Sequence, residues 1–136
     1  MSKRGEMAMP LAEAIQQMPA LVNADTALVR RGRFVNGEIM LGVGTTPYHI
    51  SIVNGQIAGL QRGPLLMRSW SFAIRGGDEA WRRFWQPFPP PHFHDIFALT
   101  KRGEFQIDGE YRLLMTNLMY FKALLATPRR LAVERQ

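Results

Sequence analysis

Residues 103–128 read GEFQIDGEYRLLMTNLMYFKALLATP, and here a strand, a turn and a long apolar helix follow one another. Phe105 and Ile107 alternate with Glu104, Gln106 and Asp108, the period of a half-buried strand. Asp108-Gly109 offers a turn and a helix N-cap, and Glu110 suits the positive end of the helix dipole. A single helix is expected from Tyr111 to Ala126, where 12 of 16 residues are apolar, with Thr127-Pro128 as its stop. Leu114, Leu118, Phe121 and Leu125 form one stripe against a sheet, with Met115, Met119 and Leu124 outside it. So apolar a helix is either squeezed between a sheet and another helix or subunit, or faces a cavity that takes an apolar guest. With Arg112, Thr116, Asn117 and Lys122 inside it, it falls short of the roughly 20 apolar residues that span a bilayer.

Upstream, Met9 to Val22 predicts an amphipathic helix through Leu11, Ile15, Met18 and Val22, ended or kinked by Pro19. Residues 24–33 carry no decisive pattern. From Phe34 the signals are those of a sheet: Glu38 to Val43, a turn at Thr45-Thr46-Pro47, then Tyr48, Ile50 and Ile52 alternating with His49 and Ser51. Asn54-Gly55 is a two-residue hairpin signal before a third strand, Gln56 to Gln61. Gly63-Pro64 ends the meander and Leu65-Leu66-Met67 makes an apolar crossing to a fourth strand, with Trp70, Phe72 and Ile74 expected on its core face. Gly76-Gly77-Asp78 reads as a turn and N-cap before a short helix bearing Trp81, Phe84 and Trp85. The prolines of residues 86–91 forbid regular structure, and His94-Asp95 opens a helix with Ile96, Phe97 and Leu99. The order predicts an α+β domain over residues 1–136, a largely antiparallel five-stranded sheet covered by helices.

The totals narrow the function. At 136 residues the chain suffices for one good core, and with no cysteine it has neither disulfides nor thiolate chemistry. The net charge of +6 invites a nucleic-acid reading, but each of residues 1–34, 35–128 and 129–136 carries +2, and no nucleic-acid motif accompanies it. Arg30, Arg31 and Arg33, or Arg129 and Arg130, suit at most a transient approach to anionic lipid or an acidic partner. Lys3-Arg4 is not followed by an unbroken apolar run, so a cytoplasmic location is expected.

Tyr48-His49-Ile50-Ser51-Ile52 with Asn54-Gly55, the strand Phe72-Ala73-Ile74 leading to Gly77-Asp78 and Trp81, and above all Gly103 to Glu110, resemble the sterol carrier protein type two (sterol-binding) family. There a Gly-x-apolar-x-Ile-x-Gly-acid segment leads the final strand into the last helix. The resemblance covers about residues 30–126, and its motifs are structural. It implies an apolar tunnel between sheet and helices that binds fatty acid, fatty acyl-CoA, sterol or phospholipid without chemistry. Trp70, Phe72, Trp81, Trp85, Phe97, Leu114, Leu118 and Phe121 are then the expected lining. The chain departs from the family at Gln86 to His94, a longer, proline-rich link suited to a lid or a docking edge. It also ends without a peroxisomal Ser-Lys-Leu signal.

Two other readings stand beside the carrier. The same fold with a filled core would serve as an interaction module, attaching to an enzyme or to a second copy through the proline-rich loop and basic tail. His92, His94 and Asp95 are the one cluster suited to metal-assisted chemistry, three ligands at most, with His49 in a predicted strand elsewhere. Against it, Asp95 is expected to cap a helix and the histidines to be surface or packing residues. The glycine pairs lack any phosphate-loop continuation and the serines any nucleophile elbow. Neither a cofactor nor a metal is expected.

Overall fold

The computed structural model describes residues 8–64 and 69–134. Its five strands are β1 (Gly37–Val43), β2 (Thr46–Val53), β3 (Gln56–Arg62), β4 (Phe72–Gly76) and β5 (Phe105–Gly109), in the order β3-β2-β1-β4-β5. The β2–β3 hairpin turns through Asn54 and Gly55 at φ 52° and 83°, both positive, as the tightest hairpin turn requires. Only β4 runs parallel to its neighbour β1, because the chain leaves the far edge of the sheet at β3 and returns to the free side of β1. The expected apolar crossing, Leu65-Leu66-Met67, lies outside the described residues.

Alternation along each strand sends one set of side chains to the helices. Ile50, Ile39 and Phe72 lie in register across three strands, and Tyr48, Leu41, Ile74 and Ile107 form the next row. All seven are buried. On the opposite face Met40, His49 and Ala73 are buried as well. His49 Nε2 lies 2.8 Å from Glu38 Oε1 and 3.1 Å from the Ser69 carbonyl, two acceptors that fix it as the protonated nitrogen.

The helices correct several boundaries. The helix expected over Met9 to Val22 is two, α1 (Leu11–Gln16) and α2 (Met18–Ala24), since Pro19 lacks an N–H and is accommodated in the first turn of α2. Residues 24–33, undecided in sequence, contain α3 (Thr26–Arg31), capped by Asp25, whose carboxylate accepts the Leu28 N–H. After α4 (Asp78–Phe84), whose N-cap is Gly77 and not Asp78, comes α5 (Ile96–Lys101). The single helix expected from Tyr111 to Ala126 is divided into α6 (Tyr111–Thr116) and α7 (Leu118–Leu125) at Asn117, φ −122° and ψ 39°, whose side-chain amide donates to the Leu113 carbonyl. A 3-10 turn, Thr127–Arg130, ends the run.

The break re-aims the apolar faces. Leu124, expected outside the stripe, is buried with Tyr120, Phe121 and Leu125, while Met115 and Met119 are exposed. Asp108 and Gly109 are the last residues of β5 and not a helix cap. Gln106 and Arg75 bind the Asp108 carboxylate and hold it below the usual carboxylate range. The N-cap position falls to Glu110, without a side-chain bond. Trp70 precedes β4 and is no part of its core face, because the chain bends at Ser71, whose N–H and carbonyl are held by Glu38 and Glu110.

Asn23 ties α2 to the edge strand: its amide donates to the Ile57 carbonyl at 3.0 Å and accepts the Ile57 N–H at 2.8 Å. β3 is an edge strand, so the Ile57 groups that face away from β2 have no neighbouring strand and a side chain takes its place. Asn23→Ala is expected to lower stability by about 1–3 kcal/mol, the cost of stranding a part-buried pair. In hydrogen exchange the Ile57 amide should lose its protection ahead of its neighbours.

Candidate functional site

The space between sheet and helices is built from rings. On α4, Trp81 recurs one turn before Trp85, and both point inward with their indole N–H groups satisfied. Trp81 Nε1 donates to the Gly42 carbonyl at 2.9 Å and Trp85 Nε1 to the Leu125 carbonyl at 2.7 Å. Trp81 stacks at a tilt on Phe105 (4.4 Å between centroids) and Trp85 (4.8 Å). Across the sheet Phe72 meets Phe121 edge-on at 5.1 Å, and Phe121 meets Tyr120 the same way. The Tyr120 hydroxyl donates to the Gly55 carbonyl at 2.7 Å, and burial pushes its phenol pKa up to about 12.

Of the eight residues expected to line a tunnel, Phe72, Trp81, Trp85, Leu114 and Phe121 lie buried in this one apolar cluster. Phe97 and Leu118 are half-buried and packed against it. Trp70 lies apart, half-buried, its ring under the Arg75 guanidinium. Lys122, in sequence only an interruption of an apolar run, fastens the wall: its ammonium is 3.1 Å from the Asp95 carboxylate and 5.5 Å from the centre of the Phe97 ring. Arg129 is a second fastening, donating to the Phe84 and His94 carbonyls. Neither role leaves a pattern in sequence, because each is set by the meeting of segments far apart in the chain.

The histidine loop does not assemble a metal site. His92 and His94 are exposed, His92 at φ 76°, and Asp95, though at the N-cap position of α5, makes no capping bond and pairs instead with Lys122. Among the described residues no group of three or more His, Asp or Glu side chains is placed to hold a metal ion. Nor is any helix among them long and apolar enough to cross a membrane. What the described interior holds is apolar side chains and aromatic rings packed in one cluster, surroundings in which hydrocarbon is favoured over water.

The strand order, with its one parallel pair and helices gathered on one face, decides the architecture. The fold is that of sterol carrier protein 2. A crystal structure of sterol carrier protein 2 matches 88% of this chain and 96% of its own at a TM-score of 0.69 and 15% identity. A Thermus thermophilus protein described as possibly a sterol carrier protein matches 96% of this chain and 94% of its own (TM-score 0.65, 13% identity). The sterol carrier protein domain 2 of Helicoverpa armigera matches 85% and 86% (TM-score 0.56, 13% identity). No family model and no curated protein matches the sequence. The likeness is thus one of fold, at 13–15% identity.

Proposed function

We propose that residues 1–136 form one sterol carrier domain that holds a single hydrophobic molecule between sheet and helices. The guest would be a fatty acid, fatty acyl-CoA, sterol or phospholipid, presented or transferred without a chemical step. The observation that supports this most is the shared architecture, in which the helices cover one face of the sheet with an almost wholly apolar interior. The proposed lining is Phe72, Leu114 and Phe121 around the guest, Trp81 and Trp85 as a fixed floor, and Phe97, Leu118 and Trp70 nearer the surface. Each methylene buried is worth about 0.8 kcal/mol. About ten would therefore hold a guest at micromolar strength after binding costs of several kcal/mol. The proposed entry is between α5 and α7, a reading supported by the half-burial of Phe97 and Leu118 and by the exposed end of the Lys122–Asp95 pair beside them.

Denaturing the purified protein and analysing the extract by mass spectrometry is expected to release a co-purified lipid. A fluorescent fatty acid should bind the stripped protein and be displaced by acyl chains or sterol. Leu118→Glu, which sets a charge in the proposed entry, should weaken that binding by about tenfold or more. Failure of all these ligands to bind the folded protein would remove the carrier reading and favour an interaction module.

A further inference from the structure

We infer that the outer face of α6 and α7 is a docking surface for a second copy of this chain, the two faces packing antiparallel about a two-fold axis. Tyr111, Met115 and Met119 are 49%, 50% and 61% exposed, and Ala123 is exposed one turn further on. The four recur every fourth residue, so they stand as one row on a helix surface. Exposure keeps that phase across the break at Asn117, with Leu114, Phe121 and Leu125 buried behind the row. One end of the row is fixed, because the Tyr111 hydroxyl donates to the Ile107 carbonyl at 2.8 Å. Its middle is two thioethers, unbranched and able to mould to a facing surface.

The row complements itself. Turned end for end about residue 117, it sets Met115 of one copy on Met119 of the other and the large Tyr111 ring on the small Ala123. A two-fold contact needs this match of one patch with its own reverse, which a different protein would have no reason to require. The charges agree with the same register. Arg112 is exposed and has no acidic partner among the described residues. Residue 122 lies as far beyond the centre as residue 112 lies before it, and there Lys122 holds the Asp95 carboxylate through Oδ1 at 3.1 Å. Asp95 Oδ2 has no hydrogen-bond partner among the described residues, so each copy offers a carboxylate oxygen where the other brings a guanidinium. The carboxylate then lies between two cations instead of beside one.

The contact is small, a few apolar side chains from each copy, and belongs to the weak, exchanging class. Sedimentation of the full chain, stripped of any lipid, is expected to show an average mass that rises from monomer toward dimer between about 10 µM and 1 mM. With no guest present, the result stands apart from the carrier reading. Met119→Asp, which sets a charge near the centre of the contact, should raise the dissociation constant about tenfold or more. Arg112→Ala should raise it about threefold and reduce its salt dependence. Both side chains are exposed, so each variant should keep its circular dichroism spectrum. The chain has no cysteine, so engineered thiols report the register directly. An equal mixture of Met115→Cys and Met119→Cys chains should form disulfide-linked dimers under mild oxidation several-fold faster than either variant alone. A monomer throughout the concentration range overturns the inference and leaves the row to a bilayer or to another protein. So does a Met119→Asp chain that associates unchanged, or thiols that cross-link as fast alone as in the mixture.

Discussion

Trp81→Ala is expected to lower the free energy of unfolding by about 3–5 kcal/mol, read as a fall in the urea midpoint with the slope unchanged. The side chain has no exposed surface, touches the rings of Phe84, Trp85 and Phe105, and spends its N–H on the Gly42 carbonyl in β1. Truncation therefore removes an aromatic volume that the rigid sheet beneath cannot close over, together with a buried hydrogen bond. Trp81→Phe keeps most of the ring and should cost about half as much. A loss below about 1 kcal/mol for the alanine variant would mean the floor beneath the helices is loosely filled, contrary to the ring contacts described.

The second large effect is expected at Gly32→Ala, about 3 kcal/mol of destabilisation. Gly32 closes α3 at φ −99°, a backbone conformation alanine adopts freely, so the cost is one of space: a Cβ there would meet the Tyr120 ring. Tyr120→Phe should leave that clash intact, whereas in a Tyr120→Leu background the Gly32→Ala cost should shrink to about 1 kcal/mol or less. Full additivity in the double variant would refute the contact. The hydroxyl has its own signature. Because burial raises the folded-state phenol to about 12, its contribution is fully present below the ordinary tyrosine value of about 10 and is lost as pH rises toward 12. Tyr120→Phe should abolish that part of the alkaline dependence.

Much of the sheet was legible because its signals are local. The alternation at Tyr48, Ile50 and Ile52 and at Phe105 and Ile107, and the turn at Asn54-Gly55, are properties of single segments, and each sits where the pattern places it. The helices were less legible. Periodicity joined α6 to α7 because apolar residues run through both, while the break at Asn117 depends on a side chain competing for the Leu113 carbonyl. Asp108 looked like a cap because the partners that claim it, Arg75 and Gln106, come from the sheet. For the interior, sequence identified the side chains that gather, Phe72, Trp81, Trp85, Leu114 and Phe121 among them. It gave no sign that Trp70 would stand apart, which follows from the bend at Ser71, nor that Lys122 would bind Asp95 across two helices.

The two ends of the described chain meet. Met9 and Val133 form a parallel bridge, in which the Met9 N–H reaches the Ala132 carbonyl at 2.6 Å and the Glu134 N–H reaches the Met9 carbonyl at 2.8 Å. Strands that run the same way leave a seam in opposite directions, so tension applied through residues 8 and 134 loads it in shear, its bonds sharing the force instead of opening one after another. Short as it is, that seam guards the mechanical exit of the molecule.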